Sequence, residues 1–451
     1  MTQKSPLTGV GDFVYVGSIL VGAERFELAT SRSQTERSTR LSHAPTTLSS
    51  YTAGVWFVKT SFILIQNTRF LTARRAVLQC NLRFECEDSM LYPLLRSALF
   101  KLDPEAAHER TVRTLNAALA VPGMAALIKS MYRPATRGMQ TTFAGMTMAH
   151  PVGLAAGFDK HADITHGMAC LGFSHIEVGT VTPRPQEGNP KPRMFRLAPE
   201  HGLINRMGFN SDGMDVVAQR LATRPTGLPI GINIGKNRDT ALDAATADYV
   251  AAYMRLAPHA DYVALNISSP NTPGLRQLHE TSALQELLGA IRDANATERK
   301  PIFLKISPDE TPAQLEQVIA TALDYGINGI IATNTTITRP GVQGTHANEA
   351  GGLSGAPLNA LSMSTLRTVV ALTEGRVPVI SVGGISTAAD VYARLKAGAS
   401  AVQIYTAMVY SGPAVVAQLT WGLAALMRRD GVKDITQVIG SDRTPGGTQR
   451  H

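Results

Sequence analysis

The sequence predicts an α/β protein whose main part is a closed (β/α)8 barrel. Short apolar segments alternate with amphipathic helical segments eight times between residues 151 and 406. This alternation is typical of parallel sheets with right-handed crossovers. With the helical segment after the last strand, to about residue 430, the eight units span about 280 residues, close to the ~250 residues of a typical barrel. Polar residues follow nearly every strand, whereas an open doubly wound sheet, the alternative fold, would concentrate them at one crevice.

Residues 1–89 differ from the rest of the chain. They are rich in Ser, Thr and Arg and show no sustained hydrophobic period. The stretch Gly22–Thr46 resembles the product of a mistranslated tRNA gene. The longest apolar run, Ala53–Ile65, is interrupted by Lys59 and is shorter than the ~20 residues of a membrane-spanning helix. We therefore expect the natural chain to begin at Met90, with a genuine but disordered extension as the alternative.

Residues 90–134 are predicted to form a small helical segment. Asp103 followed by Pro104 indicates a helix N-cap and first turn, and the helix that follows extends to about Val121. Two apolar stripes have helical spacing, one comprising Leu91, Leu94, Leu95, Ala98, Leu99 and Leu102, the other Met124, Leu127, Ile128 and Met131. Six basic residues accompany them: Arg96, Lys101, Arg110, Arg113, Lys129 and Arg133. Basic amphipathic helices bind anionic membrane surfaces, and ordinary packing on the barrel is the alternative.

The barrel is expected to occupy residues 135–434, followed by a disordered tail, 435–451. Its eight predicted strands are Pro151–Phe158, His175–Val181, Gly231–Lys236, Tyr262–Ser268, Pro301–Ile306, Gly329–Thr335, Val377–Gly384 and Ala401–Thr406. Amphipathic helical patterns such as Ala313–Tyr325 and Ala388–Ala397 lie between them.

Composition limits the function classes. The 451 residues are 44% hydrophobic with a net charge of +8, and no Lys/Arg block suggests a nucleic-acid-binding arm. The cysteines are Cys80, Cys86 and Cys170; an odd number without C-x-x-C spacing predicts neither a disulfide framework nor a zinc site.

The active site of such a barrel lies at the carboxyl ends of its strands. The residues predicted there are mainly amides, lysines, hydroxyls and glycines: Lys160, Thr180, Asn205, Asn233, Asn266, Ser269, Asn271, Lys305, Thr333, Asn334, Thr335, Gly383, Gly384, Tyr405 and Thr406. No histidine pair or carboxylate cluster occurs among them, so metal-dependent hydrolysis and paired-carboxylate chemistry are not expected. Amides present many donors and acceptors, which suits a planar heterocycle.

Glycine-containing turns after the last two strands predict a phosphate site. The segments are Ser381–Ile385 (SVGGI) and Gln403–Ala407 (QIYTA), with Gly351–Gly355 (GGLSG) upstream. Glycine lets the backbone approach a ligand, and free N–H groups at a helix start bind phosphate. Barrels often bind phosphate at this position.

Eight motifs resemble those of the dihydroorotate dehydrogenase family. They are LAAGFDK (154–160), GTVTPRPQ (179–186), INRMGFN (204–210), GINIGKN (231–237), NISSPNTPGLR (266–276), ATNTT (332–336), GGLSG (351–355) and VQIYT (402–406). The resemblance extends from Met90 to about residue 430. It implies an FMN enzyme that oxidises dihydroorotate to orotate in de novo pyrimidine (UMP) biosynthesis. The helical segment and a serine at position 269 resemble the quinone-dependent, membrane-associated class.

The resemblance also implies roles for individual residues, with Ser269 as the catalytic base. The implied FMN contacts are Ala156, Gly157, Phe158, Asp159, Lys160, Thr180, Asn233, Asn266, Lys305, Thr333, Gly355, Gly384, Tyr405 and Thr406. The implied orotate contacts are Lys160, Asn205, Arg206, Met207, Gly208, Phe209, Asn266, Asn271, Asn334 and Thr335. Packing explains Met207 and Phe209 equally well. Thr272 is a candidate to bind a relay water beside Ser269.

The same resemblance implies a monomer held peripherally at the cytoplasmic side of the inner membrane, with no nucleic-acid partner and no metal. Three alternatives remain open at the level of the sequence. A soluble member of the family would carry cysteine at position 269 and lack the helical segment. A dihydrouridine synthase would need a catalytic cysteine and a strong basic patch. A non-catalytic phosphate-binding barrel would not bind a flavin that dihydroorotate bleaches.

Overall fold

The computed structural model describes residues 91–272 and 274–443. All of the described residues belong to one compact unit. The predicted extension, residues 1–89, lies outside the described residues, as does the end of the predicted tail, 444–451.

Within the described residues, three helices precede the barrel, as predicted. They are α1 (Leu91–Leu99), α2 (Pro104–Leu119) and α3 (Met124–Met131). The Asp103 side chain caps α2 by accepting hydrogen bonds from the first free backbone N–H groups, and Pro104 occupies the first turn, where no N–H is needed. The predicted N-cap of α2 is confirmed.

Eight parallel strands close into a barrel, which confirms the predicted fold. They are β3 (Val152–Leu154), β4 (Ile176–Val181), β7 (Ile230–Ile234), β8 (Tyr262–Asn266), β9 (Ile302–Ile306), β10 (Gly329–Ala332), β12 (Val379–Val382) and β13 (Ala401–Ile404). Each pairs with the next in that order, and β13 pairs with β3 to close the sheet. Their residues are buried on both faces, because side chains fill the interior and helices cover the outside.

Nine helices accompany these strands in the described part of the chain. They are α4 (Thr165–Cys170), α5 (Met214–Leu221), α6 (Ala245–Leu256), α7 (Thr281–Ala294), α8 (Pro312–Asp324), α9 (Asn359–Thr373), α10 (Ala388–Lys396), α11 (Thr406–Ser411) and α12 (Val415–Arg429). Cys170 ends α4 and is buried, consistent with its predicted role as a small core residue.

Aromatic rings fill the amino-terminal end of the barrel. A hairpin of β1 (Thr141–Phe143) and β2 (Met146–Met148) covers this end, and Phe143 packs edge-on against Tyr262 and Phe303. Glycine makes room for the rings: a Cβ on Gly231 would lie 2.0 Å from the Tyr262 ring. Close packing here leaves the opposite end of the barrel as the place for a ligand.

A second, antiparallel sheet was not predicted from the sequence. It consists of β5 (Met194–Leu197), β6 (Gly202–Asn205) and β11 (Gly352–Gly355), with β6 in the middle. β6 ends at Asn205 and β11 ends at Gly355, so this sheet carries two predicted site residues.

Most predicted strands extend a few residues beyond the observed ones, and two predicted boundaries differ most from the structure. The predicted strand Pro151–Phe158 is a strand only at Val152–Leu154; the residues that follow form a turn at the cavity. The tail predicted to be disordered from residue 435 is wrong for residues 435–443. There Ile435 and Val438 are buried, and the Ile435 N–H donates to the Gly138 carbonyl. Apolar anchors this close to the last barrel helix keep the chain on the barrel surface.

The apolar stripes of the N-terminal helices are partly uncovered. Leu94 and Leu95 of α1 and Leu127 and Met131 of α3 are 71%, 55%, 47% and 59% exposed. Within the described residues, no helix taken singly has the length and apolar character needed to cross a membrane. The α2–α3 pair, bent by 117°, meets that test by length and composition alone.

Candidate active site

A cavity opens at the carboxyl ends of the barrel strands and brings together most of the predicted site residues. Those that line it are Ala156, Gly157, Lys160, Thr180, Asn205, Met207, Gly208, Phe209, Asn266, Ser269, Asn271, Lys305, Thr333, Asn334, Thr335, Gly355, Gly384, Tyr405 and Thr406. They come from motifs up to 250 positions apart. The barrel places them together because all parallel strands end at the same edge.

Four predicted residues lie outside the lining. Phe158 packs edge-on against Tyr405 and supports the cavity wall from behind. The Arg206 guanidinium pairs with Glu349 at 2.6 Å. Asn233 lies below the floor. These side chains contribute to the fold around the cavity.

Asp159, the fourth, organises the turn after β3. Its buried carboxylate accepts hydrogen bonds from the Asp163 N–H at 2.8 Å and the Ile164 N–H at 3.1 Å. Burial raises the pKa of Asp159 to about 6, although these two N–H groups act in the opposite direction. Its role within the fold is to hold the loop that follows Lys160.

A chain of amide and hydroxyl hydrogen bonds forms the cavity floor. The Thr180 hydroxyl donates to Asn233 Oδ1 at 2.5 Å and accepts from Asn266 Nδ2 at 2.9 Å. Asn266 Oδ1 in turn accepts from Asn334 Nδ2 at 3.2 Å. Lys305 lies on the neighbouring strand, buried, with its ammonium 3.3 Å from the Glu177 carboxylate. The floor therefore presents oriented polar atoms on a rigid support.

Ser269 lies in the loop after β8 and is buried at the cavity wall. Its Oγ accepts a hydrogen bond from the Asn271 N–H at 3.3 Å. The Thr272 hydroxyl is also buried, and no described residue hydrogen-bonds to it. An unpaired buried hydroxyl is costly unless water or a ligand satisfies it. The Thr272 hydroxyl, three residues after Ser269, is therefore free to bind a water or a ligand.

Hydrogen bonds connect the loop that contains Ser269 to the residues that follow β6. Asn271 Nδ2 donates to the Asn205 backbone oxygen at 3.1 Å, and Asn189 Nδ2 donates to the Arg206 backbone oxygen at 2.9 Å. Phe209 has a φ of +55°, an unusual conformation for a bulky residue. Unusual backbone conformations of this kind are common at functional sites, and the role of Phe209 in the site stays a prediction.

Lys160 supplies a cation to the cavity without a fixed partner. No hydrogen bond or ion pair joins its ammonium to another described residue. Burial lowers the pKa of Lys160 to about 8, and Arg193 nearby acts in the same direction, whereas Glu105 opposes it. An anionic ligand bound beside the Lys160 ammonium would favour its charged form.

The turns after β12 and β13 form an anion cradle. The backbone N–H groups of Gly383, Gly384 and Tyr405 donate to no acceptor within the described residues. Gly384 has a φ of +69°, and a Cβ there would lie 2.3 Å from the Asn359 backbone. The buried Arg394 holds the turn from behind by donating to the Gly383 carbonyl at 3.1 Å. Free N–H groups in a glycine turn suit a phosphate.

The cavity also reaches residues beside the N-terminal helices, which the sequence analysis did not identify. His201 stacks on Tyr410 with ring centroids 4.8 Å apart, and both line the cavity with Met194 and Leu358. Arg96 of α1 donates to the Tyr410 carbonyl at 2.9 Å. This end of the cavity is more apolar than the floor. Tyr410 could have been noticed because it stands three residues after the QIYTA motif. Nothing in the sequence indicated that it lies near α1.

Fold and site together define a (β/α)8 barrel with a glycine-turn anion cradle and an amide- and lysine-lined floor. This chain belongs to the dihydroorotate dehydrogenase family, whose family model matches residues 138–427.

Relatives and solved structures agree. The chain is 51% identical over 356 residues to "Dihydroorotate dehydrogenase (quinone)" of Roseiflexus castenholzii, covering 78% of this chain and 97% of that protein. It is 46% identical to the protein of the same name from Anaeromyxobacter sp. over 78% of this chain and 98% of that one. The crystal structure of DHODH in complex with ferulenol from Eimeria tenella has a TM-score of 0.70 at 38% identity, covering 76% of this chain and 96% of that one.

Proposed function

We propose that the protein oxidises (S)-dihydroorotate to orotate, with FMN as the intermediate hydride acceptor and a quinone as the final electron acceptor, a step of de novo pyrimidine biosynthesis. The observation that carries the proposal is the placement of Ser269 in this family's barrel, buried at the cavity wall beside the unpartnered Thr272 hydroxyl. Two relatives that this chain matches over 97% and 98% of their length are named "Dihydroorotate dehydrogenase (quinone)".

The residues present fit FMN. The free N–H groups of Gly383, Gly384 and Tyr405 suit its phosphate, and Thr180, Asn266 and Lys305 offer donors and charge at the floor for its ring. When bound, FMN supplies the acceptor for the hydride that leaves C6 of dihydroorotate and passes electrons on to the quinone.

The protein's own groups handle substrate binding and the proton. Ser269 takes the proton from C5 of dihydroorotate, and a water held by the Thr272 hydroxyl carries it away, since a serine hydroxyl is a weak base unaided. Phe209 shields this path from solvent. Lys160 neutralises the substrate carboxylate, and Asn205 and Asn271 orient the pyrimidine ring through their amides.

The helices α1 to α3 form the quinone entrance and the membrane contact in this proposal. The exposed Leu94, Leu95, Leu127 and Met131 supply apolar surface. The apolar end of the cavity, at His201 and Tyr410, lies next to α1 through the contact with Arg96. A quinone with a long apolar tail can then reach the flavin without crossing much water. In this proposal the protein is a monomer, and it is bound peripherally to the cytoplasmic face of the inner membrane.

The test is the reaction itself. Purified protein should be yellow, should bleach with dihydroorotate, and should reduce a quinone faster than fumarate or a nicotinamide. Preference for fumarate or a nicotinamide would assign the soluble class instead. A colourless protein that still binds phosphate compounds would indicate a non-catalytic barrel. Sedimentation analysis tests the monomer, and flotation with anionic vesicles tests the membrane contact.

A further inference from the structure

Glu177 of β4 is a fully buried acid that the reaction described above does not use. It lies inside the barrel below the cavity floor and receives four hydrogen bonds. The donors are Asn233 Nδ2 at 2.9 Å, Lys305 Nζ at 3.3 Å, Tyr262 OH at 3.1 Å and Gln403 Nε2 at 2.9 Å. An ionised carboxylate accepts about four hydrogen bonds and donates none. The four donors therefore match the charged form of Glu177.

Two of these donors, Tyr262 and Lys305, are suited to a negatively charged Glu177. Burial and the Glu177 charge both raise the pKa of Tyr262 well above its ordinary value, so its phenol keeps the proton that it donates. Lys305 is the cation paired with Glu177 in the described structure. A buried carboxylate is costly unless it is paired and fully hydrogen-bonded. A fully buried acid in a barrel strand therefore calls for a specific role.

The acceptor-only character of Glu177 sets the direction of the whole floor. Asn233 has to turn Nδ2 towards the carboxylate, which leaves Oδ1 facing Thr180. The Thr180 hydroxyl then has to donate to that oxygen, so its lone pair accepts from Asn266 Nδ2. Asn266 Oδ1 is left to accept from Asn334 Nδ2. Either end of a carboxamide can occupy the same space, but an acid at the start of the chain permits one orientation at each step.

We propose that Glu177 is a positioning residue that fixes the polarity of the Asn233–Thr180–Asn266–Asn334 chain and acts as counter-ion to Lys305. Through it, the floor presents fixed donors and acceptors to flavin and orotate, and the Lys305 ammonium is paired with a carboxylate below the flavin. This inference rests on the proposed function in that those two ligands occupy the cavity.

Glu177→Gln tests both roles. Glutamine can turn either its oxygen or its NH2 group towards Asn233, so the chain loses its unique direction. Orotate affinity of the FMN-loaded protein should fall about tenfold or more, as expected for a disturbed buried polar network. Lys305 also loses its counter-ion, so the net charge beside the flavin becomes one unit more positive. The FMN midpoint potential should then rise, because a nearby positive charge favours the reduced, anionic flavin. It should return towards the wild-type value in Glu177→Gln/Lys305→Met, in which both charges are removed.

Tyr262→Phe is the matched control, because it removes one donor to the same carboxylate at equal burial without changing any charge. It should keep orotate affinity within about twofold and leave the FMN midpoint potential at its wild-type value, since Glu177 still directs Asn233 and stays paired with Lys305. Wild-type affinity and a wild-type potential in Glu177→Gln would overturn the proposal. So would equal effects of the two substitutions, which would indicate packing alone.

Glu177→Gln leaves Lys305 buried without its counter-ion and can fail to fold. In that case the double variant decides, since removing both charges together costs less than stranding one. Recovery of thermal stability in Glu177→Gln/Lys305→Met relative to both single variants supports the pairing, and strictly additive losses overturn it. A wild-type protein that binds no FMN would contradict the proposed function instead, without bearing on the ion pair.

Discussion

Ser269 shows how far a single residue can be interpreted from the sequence. A serine in an SSPN turn is usually a cap or turn residue, and only the family resemblance assigned it a chemical role. The structure adds that its side chain is buried at the cavity wall, and that its Oγ accepts the Asn271 N–H. The unpartnered Thr272 hydroxyl is also a structural observation. These features support the assignment of Ser269 as the base, which remains a prediction.

Ser269→Ala should retain FMN and the fold but slow flavin reduction by dihydroorotate about 10²- to 10⁴-fold, the usual contribution of a general base. Stopped-flow absorbance of the flavin measures this step directly. Ser269→Cys should keep part of the rate, because a thiol is more acidic than a hydroxyl. Flavin reduction at the normal rate in Ser269→Ala would show that another group takes the proton.

Lys160 leads to a prediction about pH. Its pKa is lowered to about 8 mainly by burial, and an anion bound beside it would favour the charged form. Orotate should therefore bind best below pH 8. Above that pH its affinity should fall by up to tenfold per pH unit, as the free protein loses the Lys160 proton before the complex does. Titration of the FMN-loaded protein with orotate from pH 7 to 9 measures this. Lys160→Met should bind weakly with little dependence on pH; a wild-type slope in that variant would exclude Lys160 as its source.

At the scale of elements, the helices and barrel strands were predictable because apolar strand segments alternate regularly with amphipathic helices along the chain. The sheet of β5, β6 and β11 was missed because its short strands lie among polar loops, outside that alternation. Its pairing of residues 202–205 with 352–355 joins segments about 150 positions apart, and a local pattern contains no information about such a pairing. Asn205 and Gly355 were thus identified from motifs, whereas the sheet that holds them was not.

The exposed stripe on α1 and α3 should bind membranes. Leu94→Asp and Leu127→Asp each replace an exposed leucine with a charge, so each should weaken binding to anionic vesicles about tenfold or more. Reduction of a long-chain quinone presented in vesicles should fall in parallel, whereas a short-chain soluble quinone should be reduced normally. Met254→Asp is the matched control, because Met254 is 55% exposed on the barrel helix α6. Equal losses in Met254→Asp would mean that the effect is not specific to the N-terminal helices.

At the scale of the whole molecule, the number of barrel units and the position of the site followed from the alternation of strands and helices. The interior below the site could not be predicted. Glu177 stands in the segment IEVGTV, where an alternating strand pattern would place an acid in solvent, yet its side chain is fully buried. Closure of the sheet decides this, because it turns one face of every strand towards a common interior. Burial of that kind depends on eight strands at once.

Deletion of residues 1–89 should leave activity and thermal stability essentially unchanged. The matched relatives are covered over 97–98% of their length by 78% of this chain. The family motifs all lie after Met90. Turnover and melting temperature of the shortened protein, compared with the full chain, measure the effect. A shortened protein that failed to fold would show that the extension is part of the structure.

Acid should destabilise the molecule through two histidines buried beside β3. His150 accepts the Val152 N–H at Nδ1 and contacts the Gly172 carbonyl through Nε2, an arrangement that suits the neutral ring. Burial lowers the pKa of His150 to about 4 and that of His175 to about 3. Between pH 6.5 and about 4 the unfolded chain therefore binds protons that the folded protein does not, so stability falls as the pH falls. For two histidines the slope approaches about 2.7 kcal/mol per pH unit.

Urea denaturation at pH 7 and pH 5 measures this loss as a fall in the unfolding midpoint. His150→Gln retains a donor for the Gly172 carbonyl but cannot titrate, so its midpoint should be lower than wild type at pH 7 and should fall less between pH 7 and pH 5. His166, which is exposed on α4, provides the control. His166→Gln should show the full wild-type pH dependence, since both buried histidines remain in that variant. A wild-type slope in His150→Gln would assign the acid sensitivity to other groups.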